Sequence, residues 1–195
     1  MLPSHSSIHA MNATDRLLQN YARQVRLLWP QNIAGMQRVW FAVYPPAEER
    51  KVRARIQHFE NLTREAGHGW ACVDLTPVLP TWMASHDYRE AAFSEPEFFT
   101  CNDELEILAA QKIREVCAVA EANENTVVAL VGLASLFDYM KVSRLIGRVE
   151  DSIQGRLLVL FPGEYRHNVY RFMDARDGFN YMAVPITSSE NFLIT

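Results

Sequence analysis

Thr126-Val-Val-Ala-Leu-Val131 is an almost unbroken apolar run with no alternation of polar and apolar positions. A strand with one wet face alternates. A run like this fits a strand buried on both faces, as in a parallel sheet covered by helices on each side. Arg38-Val-Trp-Phe-Ala-Val-Tyr44 and Arg156-Leu-Leu-Val-Leu-Phe161 read the same way, and Trp70–Leu75 reads as a shorter strand. Pro45-Pro46 stops the first of these, and Pro162-Gly163 marks a stop after Phe161.

Helical spacing fills the gaps between the strands. Asn12 or Thr14 can cap a first helix with Leu17, Tyr21, Val25 and Leu28 on one face, ending at Trp29-Pro30. Ala47–Ala66 places Val52, Ile56, Phe59, Leu62 and Ala66 on one face, and Gly67 is a natural C-terminal stop. The first 75 residues thus contain a β-α-β unit, whose strands should be parallel with a right-handed crossover. Thr76–Phe99 is punctuated by Pro77, Pro80 and Pro96 and reads as short helices or an excursion on the sheet edge. A helix capped by Asn102 or Asp103 extends to about Asn123, and another spans Ser135 to Ile153 and stops at Gly155. Val169–Met173 and Phe179–Val184 close the chain as a hairpin, turning at Asp177-Gly178. The expected fold is a three-layer α/β domain with a mostly parallel sheet, Rossmann-like or akin to a degenerate nucleotide hydrolase, ending in a C-terminal antiparallel β-hairpin. One domain spans residues 13–195, and residues 1–12 read as a flexible leader.

The composition is that of a globular chain, 49% apolar and 22% charged. No apolar run reaches the length of a membrane span. Residues 1–12 lack the basic and apolar regions of a signal peptide. Cys72, Cys101 and Cys117 have no metal-ligand spacing and fit a reducing compartment, so a cytoplasmic location is expected. The net charge of −4 is unevenly spread. Thr14–Trp70 has nine basic against five acidic residues, and Asp87–Asn125 has three against ten. Such segregation can steer a partner, or can be neutralised between solvated helix faces. The basic Ala47–Arg64 helix raises the idea of DNA contact, which the overall negative charge opposes.

In an open parallel sheet, ligands sit at the carboxyl ends of the strands. A nucleotide hydrolase needs a glycine-rich loop there, with a lysine and a hydroxyl. The first strand is followed instead by Pro45-Pro46-Ala47-Glu48-Glu49. Prolines offer no N–H and paired glutamates repel phosphate. Gly132-Leu-Ala-Ser135-Leu lacks nucleophile-elbow spacing, so Ser135 reads as a helix cap. Asp74 can hold a ribose or a metal, or can start a turn with Thr76-Pro77. His68, between two glycines, can be an exposed acid or base, or structural. Asp174-Ala-Arg176-Asp177-Gly178 is the richest polar cluster. It is a metal or phosphate site, or a turn in which Arg176 bridges two carboxylates; the second reading is preferred. No catalytic set, cofactor motif or metal motif emerges, and the expectation is a non-catalytic protein without a cofactor. The competing class is a nucleotide- or metal-dependent enzyme or sensor using the Asp74 and Gly132 strand ends or the Asp174–Asp177 turn.

Pro162-Gly-Glu-Tyr165, Tyr170-Arg171, Asp174-Ala-Arg-Asp-Gly-Phe-Asn-Tyr181 and Ala183-Val-Pro-Ile186 together closely resemble the BrxB family, small components of the BREX bacteriophage-exclusion systems. Arg38–Pro45 and Gly67-His-Gly-Trp70 leading into Asp74-Leu-Thr76 fit too, so the resemblance spans the chain from about Arg38 onward. It implies an antiviral defence component working beside a PglX-type methyltransferase, a PglZ-type alkaline-phosphatase-like protein and a BrxC-type ATPase. No enzymatic activity is established for that family, so the resemblance carries over no catalytic residues. The family pattern maps to Tyr170, Arg171, Asp174, Arg176, Asp177, Gly178, Asn180 and Tyr181 without an assigned role. Other BREX proteins, above all the PglZ-type subunit, are the expected partners.

Overall fold

The computed structural model describes residues 11–85, 90, 94, 103–119, 123–173 and 182–189. Through them the chain forms α1 (Ala13–Val25), β1 (Val39–Tyr44), α2 (Glu49–Arg53), α3 (Ile56–Glu65), β2 (Gly69–Asp74), α4 (Val78–Ser85) and α5 (Asp103–Cys117). There follow β3 (Thr126–Val131), α6 (Val142–Val149), β4 (Arg156–Arg166), β5 (Val169–Phe172) and β6 (Val184–Thr187). The expected α/β class and mostly parallel sheet are observed. The strand order is β2-β3-β4-β1-β6, with every neighbouring pair parallel, and β5 pairs antiparallel with the far end of β4.

Each central strand feeds two cores, because successive side chains point to opposite faces. Val39, Phe41 and Val43 of β1 pack with α4, α5 and α6, whereas Trp40, Ala42 and Tyr44 pack with α1, α2 and α3. All six β1 residues and all six of β3 are buried, as their unbroken apolar runs require. The step from β1 to β2 crosses β4 and β3 on the α3 face. The two return steps, through α4–α5 and through α6, each move one strand back on the opposite face. Reversing direction and face together keeps the crossover hand constant, as chirality demands. β1 and β2 are therefore parallel, as expected of the first β-α-β unit, but they are not neighbours.

Several boundaries differ from the expectation. Asn12 does cap α1, its Oδ1 accepting from the Asp15 N–H at 2.9 Å. The helix stops at Val25, before Trp29-Pro30, and the Trp29 indole folds back onto the Val25 carbonyl. The expected Ala47–Ala66 helix is broken at Ala54-Arg55 into α2 and α3. Ser135 does not cap the following helix. It lies within a tight turn, Leu133–Leu136, and its hydroxyl donates to the Gly132 carbonyl at 2.7 Å. Asp138, at φ 68°, separates that turn from α6.

Pro162-Gly163 is not a stop. β4 runs through both to Arg166. Proline is tolerated because it lies beyond the last residue paired with β3 and needs no donor on that side. Gly163 is required, since a Cβ there would strike the Arg171 carbonyl. Among the described residues the antiparallel hairpin is formed by β4 and β5, reversing at His167 (φ 52°) and Asn168 (φ 62°), two left-handed residues that suit a two-residue turn, while residues 179–181 of the expected second strand lie outside the described residues. Val184, expected to end its second strand, instead opens β6, which runs parallel to β1 with Trp40 opposite Val184. The Asp177-Gly178 turn lies outside the described residues.

Candidate functional site

Two places at the carboxyl edge of the sheet bring polar residues together. The first is where β4 and β1 meet. The connection leaving β1 goes to the α3 face, while that leaving β4 passes through β5 on the other face. Adjacent strands whose connections part to opposite faces open a crevice between their ends, the usual ligand position in this class of sheet. A cleft of about 500 Å³ occupies it, lined by Tyr44, Pro45, Pro46, the β4 residues Gly163–Arg166, Pro185 and Thr187 of β6, and Ser188 and Ser189 beyond it. Pro45-Pro46 ends β1 in a tight turn, so the floor of the cleft carries no proline N–H.

Two carboxylates, Glu48 and Glu49, follow the floor in sequence but do not line the cleft. The Tyr44 hydroxyl donates to Glu49 at 2.6 Å. Burial first, and the Glu49 carboxylate next, push its pKa far up, so it stays protonated. Glu48 accepts from Lys51 at 2.8 Å and from the Thr14 hydroxyl at 3.0 Å, and these bonds hold its carboxyl below the ordinary range. On the rim, Glu164 and Arg166 pair with each other at 3.5 Å. The far wall is anchored by α1. Asn20 donates to the Thr187 and Ser189 carbonyls at 2.7 and 3.1 Å, and Arg16 donates to Ser188 at 2.9 Å.

The second place is the Asp74–Gly132 pair. The sequence placed both at strand ends, and the structure brings them together because β2 and β3 are neighbours, with Asp74 opposite Val131. Asp74 Oδ1 accepts from the Thr76 N–H at 2.9 Å, its other oxygen faces Arg53 at 3.6 Å, and Lys112 donates to its carbonyl at 2.7 Å. Burial raises the Asp74 pKa, but the Thr76 bonds and the Arg53 and Lys112 charges outweigh it and hold the carboxyl below its usual value. The turn-starting role therefore describes Asp74 as it stands. Among the described residues no group of three His, Cys, Asp or Glu side chains is placed to hold a metal ion.

Comparison with protein-family models, with curated proteins and with solved structures finds no match. The remaining expectations are therefore judged on geometry. Tyr170 is fully buried, its ring 4.7 Å from that of Phe41 and its hydroxyl donating to the Ala183 carbonyl at 2.8 Å. It is a core residue joining β5 to the approach of β6. Arg171 is exposed. Asp174, Arg176, Asp177, Gly178, Asn180 and Tyr181 lie outside the described residues, so the charged turn and its two readings do too. His68 stacks on Trp29 with ring centres 3.7 Å apart, and its Nδ1 lies 2.6 Å from Asn125 Oδ1, a structural arrangement. No helix of the described residues is long and apolar enough to cross a membrane.

The cleft at β1 and β4 was missed in sequence. Its walls come from three separate segments; Tyr44-Pro45-Pro46 and Pro162-Gly163-Glu164 each read as strand ends, but nothing local brings them together. The usable signal was the mismatch between a proline-stopped β1 and a β4 whose pattern continues through Glu164-Tyr165-Arg166.

Proposed function

We propose that this chain is a non-catalytic component of a BREX-type bacteriophage-exclusion complex and acts through contacts with other BREX subunits, first among them the PglZ-type protein. The long C-terminal string and the Arg38–Thr76 segments that resemble the BrxB family support the identity of the complex. One observation supports the non-catalytic part. At the position where a nucleotide hydrolase of this architecture cradles phosphate, this chain puts two prolines, a Tyr44–Glu49 bond and the Glu48 carboxylate. Prolines offer none of the main-chain N–H groups that cradle a triphosphate, and the flanking carboxylates add no donor.

Among the described residues, four of the five Lys and Arg residues of the Ala47–Arg64 region, all but Arg50, are in ion pairs. Lys51 pairs with Glu48 at 2.8 Å, Arg53 with Asp74 at 3.6 Å, Arg55 with Asp15 at 3.7 Å and Arg64 with Glu60 at 2.8 Å. That arrangement favours protein contact over a phosphate-backbone footprint, which needs uncommitted cations. The test is size-exclusion chromatography of the full chain with each BREX subunit at low and high salt. Co-elution with the PglZ-type subunit is expected. Independent elution from every subunit, with the protein folded, would overturn the assembly reading. In parallel, calorimetry with ATP and magnesium should show no heat of binding, and a micromolar dissociation constant would revive the nucleotide-sensor reading.

A further inference from the structure

The cleft is one strand wide. β1 stands between β4 and β6 and stops at Tyr44, opposite Pro162. β4 continues four residues further, to Arg166. With neighbouring strands about 4.8 Å apart, the β4 and β6 walls stand roughly 9.6 Å from each other across the missing strand. The unfilled length beside Gly163–Arg166 is roughly 13 Å at about 3.3 Å per residue.

The direction of the β4 main chain decides what this slot can hold. The Met173 N–H donates to the Pro162 carbonyl at 2.8 Å, so the Pro162 main chain faces β5. Main-chain groups alternate along a strand, so Glu164 and Arg166 also face β5, consistent with their pairing to Arg171 and Val169. Gly163 and Tyr165 therefore turn their main-chain groups the other way, toward the line of β1. There the next residues are Pro45 and Pro46, which have no N–H to give. The Gly163 carbonyl and the Tyr165 N–H and carbonyl thus face the slot, and no strand of the described residues lies opposite them.

We infer that this slot accepts an extended segment of a partner protein, four to five residues long, which adds as a strand in line with β1 and bonds to the main chain of Gly163 and Tyr165. Strand addition of this kind draws its affinity from main-chain hydrogen bonds and its selectivity from alternate side chains. The rim charges Glu164 and Arg166 neutralise each other, so recognition is by main chain rather than by charge. Binding is accordingly expected to vary little with salt. This inference rests on the reading of the chain as a partner-binding protein, but not on which complex it joins.

The probe is a phage-displayed library of random linear octapeptides, selected on the full-length protein. Two variants separate the slot from the rest of the surface. Tyr165→Pro removes the N–H that faces the slot and leaves the β5-facing bonds in place. Ser189→Trp, at an exposed position on the opposite wall, fills the slot and guards against failure of the first variant to fold. Selected peptides should bind the parent and bind each folded variant at least tenfold more weakly. Amide exchange at Tyr165 should slow in the complex. Failure to select any peptide, equal binding to both folded variants, or protection confined to another surface would overturn the inference. So would a dimer in sedimentation that Ser189→Trp abolishes, because the occupant would then be a second copy. No peptide selected on the parent, with co-elution intact, would overturn the slot alone. Co-elution lost with peptide binding intact would overturn the assembly reading alone.

Discussion

The guanidinium of Arg156 lies over the ring of Trp29, 5.0 Å from its centre. His68 stacks on Trp29 at 3.7 Å, so the indole contacts both an imidazole and a cation. Arg156 is nearly fully buried at the amino end of β4 and donates to the Gly155 and Pro30 carbonyls, both at 3.0 Å. Burial, and then the neighbouring Arg38, push its pKa down to about 10. The side chain thus ties the segment after α1 to the foot of the sheet. Arg156→Ala would leave the Pro30 carbonyl without this donor and Trp29 without its cation. A loss of about 1–3 kcal/mol is expected from the abandoned acceptor. Urea unfolding measures it, and amide exchange should rise first around Trp29-Pro30. An unchanged midpoint would show that the stack carries no stability.

A buried carboxylate joins α5 to α6. Glu106 is 1% exposed and receives the Nε of Arg148 and, at 3.3 Å, the Nε of Arg144, which also reaches Asp103. Both arginine side chains keep contact with water, at 44% and 35% exposure, so removing the acid does not strand a buried cation. The cost of Glu106→Ala is therefore that of lost charged hydrogen bonds, about 1.5–3 kcal/mol, rather than that of an orphaned internal charge. Chemical denaturation of the variant checks the value. Asp103→Ala, whose partner is exposed, should cost well under half as much.

What could be read in advance follows from how local each signal is. Val39–Tyr44 and Thr126–Val131 are buried on both faces, and that environment writes itself into six consecutive residues. β6 was not legible, because Val184-Pro-Ile-Thr187 is a four-residue edge strand whose proline argues against a strand. The end of β4 was misread for the same kind of reason. Pro162-Gly163 looks like punctuation until the register shows that no neighbour asks for the missing donor. Asp74 and Gly132 could be nominated as strand ends, but their contact depends on strand order, which no local pattern encodes. The cleft depends on it twice over, since Tyr44 and Gly163 meet only when β1 inserts between β4 and β6.

Gly132 gives a sharp test of the Asp74 contact. It stands at φ 76°, and a Cβ there would lie 2.7 Å from both Asp74 Oδ1 and Thr76 N, and closer still to Thr76 Oγ1. Gly132→Ala meets a backbone penalty and a collision together. A loss of about 1–3 kcal/mol is the expected scale for the forced conformation alone. Adding Thr76→Ala should recover only part of it, because the Thr76 N–H remains in the way. Thermal melts of the single and double variants decide this. Full recovery would mean that the hydroxyl, and not the turn backbone, sets the close approach.

Cys72 supplies a pH-dependent test at the same edge of the sheet. It is exposed on β2, two residues before Asp74, and partial desolvation, then the Asp74 and Glu60 charges, push its thiol up to about 11. The thiolate is the reactive form, so alkylation at neutral pH should be slower than for an ordinary free cysteine. With Cys101 and Cys117 replaced by serine, the iodoacetamide rate should keep climbing past pH 9 and inflect near 11. Asp74→Asn removes a charge that disfavours the thiolate, so the inflection should move to lower pH. Two controls bound the interpretation. Glu60→Gln should shift it in the same direction by less, since Glu60 is the weaker of the two causes. Arg53→Gln should shift it the other way, because Arg53 favours the thiolate. An inflection near the ordinary thiol value in the parent, or no response to Asp74→Asn, would show that the exposed thiol is fully solvated and uncoupled from Asp74.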